Sequence, residues 1–304
     1  MLDALLEVVL PVFIVAGAGF VYAGHKDLPI AGMTDLILHL TGACLVFDAL
    51  STAEPFGLDA ARVPASAALV ILGGALLAAL ARRLVPGLSA MSAGAVVLPV
   101  AFMNAGNLGL PLVTLAFGQE GLQLGMLYFV TSAFLMYSVG IGVVAGPGGA
   151  WAGLKLPLVH GAALGLAVNQ LELTVPETIA RPIHLLGLTV VPLMLLSLGG
   201  RLRTLITDRR GLPLAAIAGL VLLRMGGGFL LALAANAVLG NRGMPARVVA
   251  LVGMLPPAVM NFMLVEKFGG RERDSAAVSG AIAVGTALAL VVLPPAVEWA
   301  RTLD

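Results

Sequence analysis

Ten long apolar stretches, separated by short polar segments, constrain the fold of this chain more than any other feature. A helix that crosses the hydrocarbon core of a bilayer needs about 20 mostly apolar residues. The stretches cover residues 5–23, 35–53, 62–84, 92–116, 121–145, 155–170, 180–200, 212–239, 246–267 and 275–299, of which the second and sixth are the weakest. Because backbone polar groups cannot face lipid unpaired, this pattern predicts an all-α membrane protein with ten transmembrane helices.

The composition excludes most soluble classes. Hydrophobic residues make up 60% of the 304 residues, charged residues make up 11%, and the mean hydropathy is +1.04. Soluble domains are about 45–50% apolar and about 25% charged, so a soluble enzyme and a disordered chain are both excluded. The net charge of +1 offers no basic surface to a nucleic acid. The single cysteine, Cys44, excludes an internal disulfide and a cysteine-rich metal site.

Charged residues predict the orientation in the membrane. The segment from Met1 to Glu7 is acidic, whereas a secretory signal begins with positive charge, so we expect the first stretch to be retained as a span. Eleven lysines and arginines follow odd-numbered stretches and five follow even-numbered ones. Since cytoplasmic loops are rich in these residues, we expect the odd loops in the cytoplasm and both termini outside a plasma membrane.

Short matches divide the sequence into two related halves. The matching pairs are Leu10-Pro11 with Leu156-Pro157, Leu40-Thr41 with Leu188-Thr189, and Phe117-Gly118 with Phe268-Gly269. The offsets are all about 150 residues, and the pairs occur in the same order. Five spans per half is an odd number, so the second half enters the membrane with opposite orientation, as in the inverted repeats of secondary transporters. We therefore predict repeats over residues 1–145 and 155–304.

The fourth stretch contains residues that a membrane helix tolerates poorly. Two prolines, two glycines and two asparagines fall within residues 98–111. Pro111 removes a helix hydrogen bond, and Gly109 relaxes the backbone further, so a helix is hard to continue here. The side-chain amides of Asn104 and Asn107 could supply partners for the freed backbone groups.

The ninth stretch repeats this abnormality, with Pro256 and Pro257 one turn before Asn261. Paired broken helices mark a substrate site near the membrane midplane. Each half-helix that begins after a break carries about half a positive charge, so two such ends favour a carboxylate. Kinks for close packing are the alternative, since proline and glycine are common in membrane helices. The candidate substrate-binding residues are Asn104, Asn107, Gly109, Pro111, Pro256, Pro257 and Asn261.

These segments resemble those of a known family. Asn104-Ala-Gly-Asn-Leu-Gly-Leu-Pro111 resembles part of the fourth helix of the auxin efflux carrier family. Pro256-Pro257-Ala-Val-Met-Asn261 resembles the ninth helix, and Ser197-Leu-Gly-Gly-Arg201 the end of the seventh. The resemblance covers the whole chain, although Asn261 stands where the plant carriers have a proline. Residues 146–154 replace the long loop of many plant members, so the chain is similar to compact bacterial members of an inner membrane.

The resemblance implies a fold and a function. The fold has two inverted five-helix repeats with crossed, broken helices 4 and 9, and it is related to the bile acid:sodium symporters. Helices 1, 2, 6 and 7 would form a scaffold, and helices 3–5 and 8–10 a transport part that moves by an elevator-like or rocking motion. Plant members export indole-3-acetate, and bacterial members are associated with malonate, malate and other small carboxylates. Transporters of related fold couple transport to sodium, to protons or to neither, so the coupling ion stays open. Relatives are often dimers, so a homodimer is possible as well.

Two charged residues inside apolar stretches are further candidates. Arg224 lies in the middle of the eighth stretch, where a charge is costly. It would serve either as the counter-ion of a substrate or as a partner of carbonyls freed at a helix break. Asp48 lies in the second stretch and would be either a carrier of a coupling proton or a solvated acid at the membrane interface.

Other function classes fit the sequence less well. An intramembrane aspartyl protease needs two acidic residues within the membrane, and only Asp48 qualifies. A serine-type intramembrane protease needs a histidine deep in the membrane, whereas the histidines here lie near the ends of the stretches. A histidine–glutamate zinc motif is absent from the sequence. A channel would have a polar ring, and a sensor a soluble output domain. We therefore expect a secondary transporter of a small organic anion, without a cofactor and not an enzyme. The alternative is a sodium-coupled, bile-acid-like symporter of a larger anion, with a channel or sensor ranked last.

Overall fold

The structure, a computed structural model, describes residues 3–53, 58–146, 152–207, 214–268 and 271–303. Within these ranges the fold is all-α, which confirms the predicted class. The helices are α1 (Ala4–Tyr22), α2 (Ile30–Ser51), α3 (Leu58–Leu84), α4 (Ala93–Ala101), α5 (Ala105–Ala145), α6 (Pro157–Gln170), α7 (Glu177–Leu188), α8 (Val190–Thr207), α9 (Leu214–Leu239), α10 (Gly243–Gly253), α11 (Met260–Lys267) and α12 (Glu272–Arg301). One-turn helices at Pro86–Ser89 and Ala152–Lys155 lie between them.

Seven helical segments of the described chain are long and apolar enough to cross a membrane. They are α1, α2, α3, α5, α7 together with α8, α9, and α12. The remaining helices are shorter because breaks divide the fourth and ninth apolar stretches and because α6 has only 14 residues. The chain is therefore a multi-pass membrane protein. The predicted connection at residues 146–154 lies largely outside the described residues, as does Gly269 of the repeated Phe-Gly pair.

The fourth and fifth stretches join in a single long helix, α5. Gly118 interrupts its regular backbone with φ 66° and ψ −150°, a conformation that residues with a Cβ rarely adopt. Gly118 lies between the predicted limits of the two stretches, so the bend falls where the sequence predicted a connection. The helix nevertheless continues on both sides of it.

Close backbone contacts join helices from the two halves of the chain. Helix α1 packs against α8, and α2 packs against α6. Glycines permit these approaches: a Cβ on Gly19 would overlap the backbone of Leu196, and one on Gly161 would lie 2.6 Å from the carbonyl oxygen of Ala43. Small residues at such contacts allow membrane helices to approach closely.

The interior contains the irregular backbone. Every residue of α4 from Gly94 to Ala101 is buried, and α10 is buried from Val248 to Gly253. Both helices end inside the protein, at Ala101 and Gly253, rather than at a membrane surface. Non-helical backbone at membrane depth is tolerated only where protein or a cavity covers it, and this burial provides that cover.

Candidate functional site

Two non-helical segments meet in the interior. Residues 102–104 separate α4 from α5, and residues 254–259 separate α10 from α11; we call this pair of segments the crossover. Backbone contacts join them: Asn104 N–H donates to Pro256 O (2.8 Å), Ala258 N–H donates to Phe102 O (2.9 Å), and Met103 pairs with Pro257 in an antiparallel bridge. The four helix ends that surround the crossover are thereby held in fixed positions.

The break in the first half lies at residues 102–104, within the span of residues 98–111 where the sequence predicted that a helix is hard to continue. The chain is already helical from Ala105, and it continues through Gly109 and Pro111. A π-helical turn, Ala105–Gly109, precedes the proline, which occupies the first turn of regular helix. In this turn Gly109 N–H donates to Asn104 O and Leu110 N–H to Ala105 O, so the helix is already widened to the i→i+5 pattern where Pro111 enters it.

The arginine of the eighth stretch, Arg224, binds the C-terminal ends of α4 and α10. Arg224 is fully buried, and its guanidinium donates to Val100 O (2.6 Å) and Ala101 O (3.0 Å) of α4 and to Gly253 O (2.6 Å) of α10. These carbonyls lie at helix C-termini, where intrahelical donors are missing. A Cβ on Gly228 would overlap the guanidinium, so this glycine makes room for it. Of the two roles considered, the geometry is that of a carbonyl partner, and Arg224 does not line the cavity described next.

A cavity of about 90 Å³ lies beside the crossover, between α2, α5 and α8. Asn104 and Asn107 contribute side-chain amides to its wall, and Ser132, Tyr137 and Ser197 contribute hydroxyl groups. Most of the other lining side chains are apolar. Within the described chain, no aspartate or glutamate lines this cavity.

Hydrogen-bond donors without partners face the cavity. Asn104 is only 4% exposed, and its Nδ2 has no acceptor. Gly106 and Asn107 lie in the first turn of α5, Met260 begins α11, and Val259 is the residue before it. All four line the cavity, and none of their N–H groups donates to an acceptor in the described chain. First-turn N–H groups have no intrahelical acceptor and carry partial positive charge. The cavity therefore collects donors from two helix N-termini.

The predicted asparagine of the ninth stretch has a different environment. Asn261 is fully buried, and its Nδ2 donates to Phe102 O at 3.0 Å. It does not line the cavity, although its backbone neighbour Met260 does. Asn261 thus joins α11 to the other segment of the crossover.

The remaining predicted residues support the crossover or lie elsewhere. Gly109 donates its N–H to Asn104 O (3.0 Å), and Pro256 and Pro257 pack against Gly285 of α12. Pro111 lines a separate apolar cleft between α1, α5 and α8. None of these four residues lines the cavity.

The acid of the second stretch lies outside the cavity. Asp48 Oδ2 is 2.8 Å from His184 Nδ1, and the contact joins α2 to α7. Asp48 retains 21% exposure of its side chain and His184 retains 55%. The pair is therefore partly accessible at the surface of the protein.

Sequence reasoning missed several polar residues of the cavity wall, and the charged one among them is Arg201. The sequence places it at the edge of a polar separator, whereas the structure places it inside α8, with its side chain in the cavity wall. Met194 and Ser197 line the same cavity, at seven and four residues before it. This spacing defines one helix face, so extending the helix past Gly200 would have identified Arg201.

A comparison with known families provides an independent result. Residues 150–296, just under half of the chain, match a family model described as membrane transport protein. The matched region contains Arg201, Arg224 and the second segment of the crossover. A search of curated proteins found no match to the chain. Residues 150–296 are therefore similar to the membrane transport protein family, which is the auxin efflux carrier type that the sequence resembles.

Proposed function

We propose that this protein is a secondary transporter that moves a small organic anion, such as a short carboxylate, through the cavity at the crossover. The observation that carries the proposal is the set of donors there: two helix N-termini and the unpartnered amide of Asn104, with no acid in the described lining. Hydrogen bonds from such donors to a carboxylate are short and strong. The family match supports transport as the general function.

The charge of Arg224 makes the crossover attractive to an anion. Two helix N-termini contribute about half a positive charge each, and the C-termini of α4 and α10 contribute about half a negative charge each. The four ends alone would therefore sum to roughly zero. Arg224 donates to both C-termini and offsets their charge, which leaves about one positive charge at the N-termini of α5 and α11.

The size of the cavity favours a small substrate. A volume of about 90 Å³ accommodates an anion of a few carbon atoms better than one of sterol size. A small carboxylate is therefore favoured over the larger anion of a bile-acid-like symporter.

We further propose ten transmembrane helices in two inverted repeats, residues 1–145 and 155–304. The packing of the helices supports the proposal. In the two repeats, α1 corresponds to α6, and α2 corresponds to α7 together with α8. The contact of α1 with α8 in one repeat order is therefore matched by the contact of α6 with α2 in the other. The pairs α3–α4 and α9–α10 correspond in the same way. Each half also has one interrupted helix at the crossover.

Alternating access would move two groups of helices against each other. The proposed scaffold consists of α1, α2, α6, α7 and α8, and the transport part consists of the other helices. Both groups line the cavity, with Thr34 and Ser197 on the scaffold side and Asn104 and Ser132 on the transport side. A site between two mobile parts is what alternating access requires. With odd loops in the cytoplasm, the cavity lies toward the cytoplasmic side.

Uptake into proteoliposomes tests the proposal. The purified protein would be assayed with labelled malonate, malate, lactate, indole-3-acetate and taurocholate, with and without sodium and a pH gradient. We expect saturable uptake of at least one small carboxylate, and at least a tenfold loss in Asn104→Ala. Gln119→Ala, which removes an exposed amide from the same helix, is the matched control and should transport normally.

Each arm of the experiment has a defined meaning. Uptake of none of the small carboxylates by folded protein would reject the proposal, and uptake of taurocholate alone would support the larger-anion alternative. Wild-type rates in Asn104→Ala would show that the substrate binds away from this cavity.

A further inference from the structure

A second cationic group lies in the cavity wall, at a distance from the crossover. Met194, Ser197 and Arg201 line the cavity from one face of α8. The Cε atom of Met194 lies 3.5 Å from the position of a Cβ on Gly106, so Met194 marks the level of the crossover. With a rise of about 1.5 Å per residue, the backbone of Arg201 is about 10 Å further along the helix.

The guanidinium of Arg201 is only partly occupied by protein acceptors. One nitrogen donates to Thr34 Oγ1 at 3.2 Å, while the Thr34 hydroxyl itself donates to Ile30 O at 2.8 Å. A guanidinium has five N–H donors in a planar fork. In the part of the chain that the structure describes, the other donors of Arg201 have no recorded acceptor, and no carboxylate lies within 4 Å. Arg224 differs, because three carbonyls occupy its guanidinium.

Weakly bonded hydroxyl groups lie between the two cationic regions. Ser132 donates to the sulfur of Met103 and Ser197 to the sulfur of Met33, each at 3.8 Å. Thioether sulfur is a weak acceptor, so a ligand oxygen could replace either contact at low cost. The cavity thus has a positive region at each end and a wall between them with adaptable polar groups.

We propose that Arg201 is a second anion-binding group, so that the cavity selects organic anions with two negatively charged groups. This inference rests on the proposed function. One carboxylate would bind the N-termini of α5 and α11, and the other would accept hydrogen bonds from the fork of Arg201. Arginine suits this role because its planar donors match a carboxylate with two parallel hydrogen bonds. A monocarboxylate would leave the Arg201 end without a counter-ion.

The inference predicts a preference between anions of equal carbon number. Succinate and butyrate form one such pair, and malonate and propionate form another. We expect the reconstituted protein to take up the dicarboxylate of a pair with a KM at least tenfold lower. In Arg201→Gln, the KM for the dicarboxylate should rise at least tenfold, while that for the monocarboxylate changes less than twofold.

Two variants control this experiment. Arg203→Gln removes the same charge two residues further along α8, from a side chain that lies over the Phe20 ring outside the cavity, and its preference should match wild type. Arg201→Lys keeps the charge but loses the fork, so it should retain a reduced preference for the dicarboxylate. If Arg201→Gln does not fold, Arg201→Lys decides: an unchanged preference or its complete loss would overturn the role of the fork.

Failure of the inference is distinguishable from failure of the proposed function. Equal KM values within the pairs, or an equal effect of Arg201→Gln on both members, would overturn the role of Arg201 and leave an anion transporter. Uptake of monocarboxylates alone would have the same meaning. Absence of uptake for every carboxylate, here and in the first experiment, would reject the proposed function itself.

Discussion

Replacing Arg224 with methionine tests how the crossover is stabilised. Methionine retains an apolar chain but removes three hydrogen bonds, of 2.6, 3.0 and 2.6 Å, to the carbonyls of Val100, Ala101 and Gly253. Each buried carbonyl left without a partner costs about 1–3 kcal/mol. Relief from burying a guanidinium offsets part of this sum. We therefore expect the free energy of unfolding to fall by about 3–5 kcal/mol, which is at least a hundredfold in the unfolding equilibrium.

Unfolding by SDS in mixed micelles measures this change. Cys44 is the only cysteine, and it is half-buried in α2, so maleimide labelling of Cys44 reports unfolding of the chain. The matched control is Arg301→Met, which removes a half-exposed arginine that pairs with Glu298 at 3.7 Å. It should unfold at the same SDS fraction as wild type, because water screens exposed ion pairs.

Arg224→Lys separates the charge from the hydrogen bonds. Lysine keeps one positive charge, but its single nitrogen cannot reach three carbonyls as a planar fork does. We expect a stability between those of wild type and Arg224→Met, with carboxylate uptake retained. A loss below about 1 kcal/mol in Arg224→Met would refute the assigned hydrogen-bonding role. Normal carboxylate affinity in folded Arg224→Met would refute the charge argument.

Three other substitutions test the crossover. Asn104→Asp places a carboxylate at the anion site, so the KM for carboxylate uptake should rise at least about tenfold through like-charge repulsion, and an unchanged KM would contradict the site. Asn261→Ala leaves Phe102 O unpaired and should lower the free energy of unfolding by about 1–3 kcal/mol in the SDS assay, with less effect on KM than Asn104→Ala; the reverse pattern would indicate that Asn261 contacts the substrate. Gly285→Val adds a side chain whose Cβ alone would lie 3.0 Å from Pro256, so the free energy of unfolding should fall by about 1–3 kcal/mol in that assay and uptake should slow. Wild-type behaviour would show that α12 does not hold the crossover.

The interrupted helices show how far local sequence reasoning extends. Proline and asparagine in two corresponding apolar stretches predicted that both helices would break, and both do. The first break falls at residues 102–104, within the predicted span of residues 98–111, whereas the helix continues through Gly109 and Pro111. Proline limits which backbone can form, but a π-helical turn satisfies that limit without ending the helix.

Arg224 and Arg201 show that local sequence reasoning cannot decide which arginine is available to bind a ligand. Arg224 was a candidate because it lies inside an apolar stretch, yet its two terminal guanidinium nitrogens donate to carbonyls 29 to 124 residues away in the chain. Arg201 was not a candidate because polar residues follow it, yet it lines the cavity. Which arginine can bind a ligand depends on which helices pack beside it, and neighbouring residues in the sequence do not contain that information.

The sequence by itself determined that the chain is a helical, multi-pass membrane protein, because a spanning helix requires a long run of consecutive apolar residues and such runs can be read from the sequence. It also located the two stretches where helices are interrupted, because proline acts on its own turn of helix. Only the tertiary structure decided where donors remain unpartnered. Hydrogen bonds such as Asn104 N–H to Pro256 O join residues from opposite halves of the chain, so packing alone determines which polar groups bind the backbone and which face the cavity.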